Sequence, residues 1–200
     1  LSDEYLAFGE YLVGEYLVYG EATLRDPFVA AFLPALDTAL TALEIELAPA
    51  ARVVCAVFCR SVRNANAEGL NLTRIVAPEE MAVKHVADSL TVLKAVPSWR
   101  EGSPRIADVG TGAGFPGVPL LYACPGIRLN LIDSLRKRLD FLDQAVEVTC
   151  TLTHRRAEDA GREAGLRESF DGVVARAVAP LPVLLEWCAP LVTVGGVFVA

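Results

Sequence analysis

The sequence predicts an α/β fold, a doubly wound parallel sheet preceded by an N-terminal helical extension. Three observations predict it. From about residue 104 onward, short β-branched runs alternate with helical periodicities. A glycine-rich turn, Gly110-Thr111-Gly112-Ala113-Gly114, closes the first of those runs. Upstream of Pro97 the apolar residues recur at intervals of three and four instead. Strands that alternate with helices build a parallel sheet covered on both faces, and intervals of three and four build amphipathic helices. The expected division is a helical extension over 1–97 and an α/β domain over 98–200.

The elements follow in order. The first 25 residues contain Glu-Tyr-Leu three times, at Glu4, Glu10 and Glu15, and read as an acidic amphipathic helix weakened by Gly9, Gly14 and Gly20. Phe28, Phe32, Leu33, Leu36, Leu40, Leu43 and Leu47 form one helical stripe. Val54, Phe58, Ser61 and Val62 form another after the break at Pro49, and 64–69 reads as a polar connection. Pro78 opens a further helix that runs to about Ala95, with Glu79 and Glu80 favourably placed in its first turn. In the α/β part, strands are expected over 105–109, 128–132, 149–153, 170–175 and 194–200. Helices are expected over 118–123, 135–146, 158–166 and 181–191. Leu135, Leu139, Leu142 and Val146 would share the buried face of the second, and almost no loop separates it from the next strand.

Composition narrows the function classes. The chain is 53% hydrophobic, rich enough for a sizeable core, but its clean apolar stretches, such as 53–58, fall far short of a membrane span. The acidic N-terminus has no secretory pattern. Five cysteines without tight spacing argue against a disulfide framework and for a reducing cytoplasm. Cys55 and Cys59 are one helical turn apart, but with His85 and His154 as the only histidines they read as small core residues rather than zinc ligands. No metal is expected. The net charge of −7 is unevenly spread: residues 1–50 hold nine carboxylates against Arg25 alone, and the rest is nearly neutral. A neutral body can still carry a local basic face.

The strongest motif is 107–117, ADVGTGAGFPG. Alternating glycines let the backbone turn sharply and approach a ligand, and the helix after them aims free N–H groups at an anion. In dinucleotide enzymes the pattern is G-x-G-x-x-G. Here the third glycine comes one residue early and Phe115 follows it, a spacing that suits S-adenosylmethionine better. Asp108 could then hold the donor's ammonium, and Gly110, Gly112, Gly114 and Phe115 would form its cradle. Asp133 ends the next strand, 23 residues after Gly110, where an acid accepts ribose hydroxyl bonds; it could equally cap the next helix. Arg136-Lys137-Arg138 opposes the dipole at a helix start, and reads either as a solvated face or as a phosphate-contacting one that Arg128, Arg155 and Arg156 could extend. Arg176 ends the fourth strand, at the sheet edge where ligands bind in open α/β folds. Lys84, His85, Asp88 and Ser89 share one helix, and no nucleophile stands in order with them for a hydrolase triad.

Taken together, Asn71-Leu72-Thr73 with Ile75, Pro78-Glu79-Glu80, Lys84-His85, Asp88-Ser89-Leu90, 108–117, 131–138 with Phe141-Leu142, Arg156-Ala157-Glu158 and 176–179 resemble the bacterial 16S ribosomal RNA guanine-N7 methyltransferase family. The resemblance covers about 70–200. It implies a Rossmann-like class I methyltransferase sheet, with Gly110, Phe115, Ala157, Glu158 and Arg176 in contact with S-adenosylmethionine. It also implies a guanine of 16S ribosomal RNA, free or in the small subunit, as substrate. Lys84, His85, Arg136, Lys137 and Arg138 are the candidate contacts to that RNA. Residues 1–69 are longer and more acidic than the family pattern.

Guanine N7 carries a lone pair and no proton, so no catalytic acid or base is expected; positioning and electrostatics should suffice, with an aromatic or arginine stacked on the base. The expected enzyme is a cytoplasmic monomer that needs no membrane. Two other classes stay open: a methyltransferase acting on another RNA, a protein or a small molecule, and a non-catalytic or nicotinamide-binding module of the same fold.

Overall fold

The structure, a computed structural model, describes residues 21–200. The three Glu-Tyr-Leu segments lie outside the described residues. After the short helix α1 (Glu21–Leu24), Asp26 caps α2 (Pro27–Leu43): its Oδ1 accepts from the N–H groups of Phe28 and Val29 at 2.9 and 3.3 Å. Arg60 holds the other carboxylate oxygen at 2.8 Å. The helix stops where Glu44 turns left-handed and its N–H returns to the carbonyls of Leu40 and Thr41. Leu47 is therefore not on the helical stripe, although it is buried in the loop beyond.

Helix α3 (Pro49–Ala67) runs through residues expected to form a connection. Its last turn survives because Asn66 has a use there. The Asn66 side-chain oxygen accepts from Leu72 N–H at 2.6 Å and from Thr73 N–H at 3.2 Å, and its amide donates to the Thr73 carbonyl. The helix expected from Pro78 is present but uneven. It comprises α4 (Pro78–Met81), a wide π-helical turn (Ala82–Ala87), α5 (Asp88–Leu90) and α6 (Val92–Ala95). Apolar periodicity alone cannot register that extra residue per turn.

Five strands, β1 (Arg105–Val109), β2 (Arg128–Asp133), β3 (Thr151–His154), β4 (Phe170–Val174) and β5 (Val192–Val199), form one parallel sheet in the order β3-β2-β1-β4-β5. Between them lie α7 (Gly117–Ala123), α8 (Arg136–Ala145), α9 (Ala157–Ala160) and α10 (Leu181–Cys188). Alternate strand residues separate the two faces. Ile106, Leu131 and Val174 join a core with α2, α3, α7 and α8, whereas Ala107, Ile132 and Val173 join a smaller one with α9 and α10. Both faces are covered, as the expected doubly wound fold requires.

Some boundaries differ from expectation. The helix expected over 158–166 is the single turn α9, because Gly161 and the turns after it end it. Leu135 precedes α8 and is exposed, so the buried face is Leu139, Leu142 and Val146. α8 ends earlier and β3 begins later than expected, which leaves a full loop between them. Gly195 and Gly196 lie inside β5, where the pairing with β4 shifts register. Gly172 of β4 takes no larger residue: a Cβ there would stand 2.1 Å from the ring of the buried Trp99.

Candidate cofactor and substrate cleft

The chain runs β1 to β3 outward on one side, then crosses to β4 on the other side of β1. Ligands of open α/β sheets bind beyond the strand ends at such a reversal. Here Gly110 and Thr111 leave β1 with both N–H groups on the Ile132 carbonyl, at 2.8 and 3.1 Å. Gly110 has φ +68, and a Cβ would lie 2.6 Å from Val178 Cγ2, so only glycine fits between the turn and the exit of β4.

Two carboxylates organise the loop. Asp133, at the end of β2, accepts from Gly112 N–H at 2.9 Å and from Leu135 N–H at 2.8 Å, with Arg138 Nη1 at 3.4 Å. It both steadies the turn and caps the entry to α8, and it still borders the cleft. Asp108 differs from expectation. It is fully buried behind the loop, where its Oδ2 accepts from Thr111 Oγ1 at 2.8 Å and Gly117 N–H at 2.9 Å. Its Oδ1 is buried without a hydrogen-bond partner, and burial pushes the carboxyl up to about 6. Asp108 shapes the turn from inside rather than reaching into the cleft.

Two cavities open at the reversal. The smaller, about 270 Å³, lies between Asp133 and Ser134 on one side and Ala157, Glu158 and Trp187 on the other. The larger, about 390 Å³, is lined by Leu72, Thr73, His85, Gly112, Phe115 and Arg176, among others. Gly110, Arg138 and Ala177 border both, so the two form one cleft. Its inner wall is aromatic. His85 stacks on Phe115 at 4.5 Å with 12° between the planes, and Phe58 meets the Phe115 ring edge-on at 5.6 Å. His85 Nε2 lies 2.9 Å from Thr73 Oγ1, while Nδ1 is buried without a partner. Burial, aided by the nearby Arg176 cation, holds the imidazole down at about 4, so it is neutral at physiological pH.

Similarity to known proteins is specific. The family model described as rRNA small subunit methyltransferase G matches residues 55–200. The chain belongs to that family. The ribosomal RNA small subunit methyltransferase G of Lactobacillus johnsonii is 48% identical over 135 residues, 66% of this chain and 56% of the relative. That of Desulfitobacterium hafniense is 50% identical over 137 residues, 66% of this chain and 55% of the relative. The chain thus spans about half the length of the curated relatives it matches.

Within the rRNA small subunit methyltransferase G fold, the sequence-predicted residues divide. Gly110, Gly112, Phe115, Asp133, Ala157, Glu158 and Arg176 border the cleft. Gly114 turns the loop with φ +95, packed among Phe58, Val118 and Leu142. The candidate RNA contacts do not share one setting. His85 is packed into the wall and 8% exposed, with one ring face on Phe115, and it borders the larger cavity. Lys84 stands on the rim and pairs with Glu80. Arg136 and Lys137 are exposed and form no ion pair among the described residues, but Arg138 turns inward to Asp133, with its Nε buried and unpartnered. One helical turn places those neighbours on different faces.

Sequence reasoning missed Trp187 and Asn66. Trp187 falls on a helix whose pattern signals only burial, and Asn66 lies in a polar run; neither carried a local sign of its role. Cys55 and Cys59 pack in the core as expected, and burial pushes the Cys55 thiol up to about 12. Among the described residues no helix is long and apolar enough to cross a membrane.

Proposed function

We propose that this cleft binds S-adenosylmethionine and presents its methyl group to N7 of a guanine in 16S ribosomal RNA, free or in the small ribosomal subunit. The protein would act in the cytoplasm as a single chain. The observation that carries the reading is the meeting of the glycine turn, Asp133, Ala157-Glu158 and Arg176 around one cleft at the sheet reversal, in a member of this family. The cleft fits a donor of this kind. Asp133 keeps lone pairs for ribose hydroxyls, Trp187 and Ala157 offer an apolar slot, and the unpartnered Arg138 Nε–H can donate to a ligand.

When bound, the donor supplies an electrophilic methyl on a sulfonium sulfur. The residues of this chain then have three tasks. Asp133 and the Gly110–Gly112 backbone fix the nucleoside end, and Arg176 faces the charged amino-acid end. His85 and Thr73, through Phe115, keep the inner wall rigid and dry. No general base is assigned, because guanine N7 loses no proton; placing its lone pair in line with the methyl group is the main contribution. The acceptor enters from the rim that bears Lys84, and the exposed Arg136 and Lys137 at the start of α8 are further candidates to meet its phosphates.

The test is methyl transfer from labelled S-adenosylmethionine to undermethylated small subunits and to naked 16S RNA, with the product base mapped. One N7-methylated guanine is expected. Donor binding with transfer only to another RNA, a protein or a small molecule would overturn the substrate, and absence of donor binding would overturn the whole reading.

A further inference from the structure

Arg176 leaves the sheet through an unusual backbone. The next residue, Ala177, has φ 57, a left-handed conformation uncommon for a residue with a side chain, and it borders both cavities. From there the Arg176 side chain crosses to the helical layer. Its Nη1 donates to Asp88 Oδ2 at 2.5 Å and to the Lys84 carbonyl at 3.3 Å, and its guanidinium carbon lies 5.8 Å from the centre of the Phe115 ring. Arg176 and Asp88 are 88 residues apart in sequence.

The wide turn makes this meeting possible. Asp88 N–H donates to the Val83 carbonyl, five residues back, as well as to His85. One added residue rotates the next turn by about 100° around a helix axis, and in this register both Asp88 and the Lys84 carbonyl face the cleft. Wide turns inside helices recur at functional sites. The pair is not a device of stability. Asp88 is about half exposed, and exposed ion pairs contribute little to folding. Its effect is orientation: a guanidinium held by a carboxylate and a carbonyl over a fixed ring presents its remaining N–H groups in one direction.

We infer that Asp88 is a positioning residue, which aims Arg176 into the larger cavity to meet the anionic end of the methyl donor. This rests on the reading of the cleft as a donor site. Calorimetry with S-adenosylhomocysteine on the full chain tests it, using the unsubstituted protein, Asp88→Asn, Asp88→Glu, Arg176→Ala and Asp88→Asn with Arg176→Ala. Asp88→Asn should weaken binding about tenfold, Asp88→Glu should restore most of it, and Asp88→Asn should add nothing once Arg176 is gone. The Arg176 Nε–H resonance should be sharp in the unsubstituted protein and broadened in Asp88→Asn, with an unchanged melting temperature. An equal loss in both backgrounds, or no loss, overturns the inference. Absence of binding to the unsubstituted protein instead sinks the donor-site reading and this inference with it, whereas the resonance reports on the pair alone.

Discussion

At the scale of single residues, His85 shows how burial sets the charge of a side chain whose type and spacing leave it open. It is a candidate contact for RNA beside Lys84, and the structure stacks one face of its ring on Phe115 and ties Nε2 to Thr73 while the residue still borders the larger cavity. Burial also makes stability depend on pH. The folded imidazole titrates at about 4 against 6.5 for the free group, so the folded state binds fewer protons between those values. His85 therefore contributes stability that is present above about 6.5 and is lost as pH falls toward 4. Urea unfolding should show the unsubstituted protein losing about 2 kcal/mol relative to His85→Gln between pH 7 and 4.5. A constant difference across that range would exclude the effect. Gly110 and Asp133 were legible in sequence because a sharp turn and an acid at a strand end each leave a local signature. Asp108 was legible as part of the motif but not as a residue behind the loop, since one position along a strand exchanges one face for the other.

At the scale of elements, the alternation of β-branched runs with amphipathic stretches located all five strands to within a few residues. What it missed were departures from regular period: the wide turn over 82–87, the truncated α9 and the glycines inside β5. The wide turn follows no local sequence signal, whereas Gly161 and the Gly195-Gly196 pair are visible in sequence without showing whether they end an element or lie inside one. At the basic start of α8, three adjacent cations divide between the exposed surface and the interior. Arg136→Glu with Lys137→Glu should leave S-adenosylhomocysteine binding intact. It should also lower the slope of log RNA affinity against log salt by about 2. Filter binding across a salt series checks this, and an unchanged slope would remove these two side chains from the RNA face.

At the scale of the molecule, the expected division at residue 97 marks a change in pattern, but one core runs across it. Phe32, Phe58 and Leu90 share a cluster with Ile106, Leu120 and Leu131, so the helical part is the cover of one sheet face. A fragment of 98–200 would expose that face to water and should not fold cooperatively; featureless near-ultraviolet circular dichroism and strong binding of an apolar dye are the expected signs. A sharp thermal transition in the fragment would show the α/β part to be self-sufficient. The same arrangement gives the protein two intrinsic optical reporters. Trp99 is shielded against Gly172, whereas Trp187 is half-buried in the smaller cavity. Fluorescence from the first should follow the integrity of the sheet, and quenching of the second should follow occupancy of the cleft, so folding and loading should be separable by colour in one unlabelled sample.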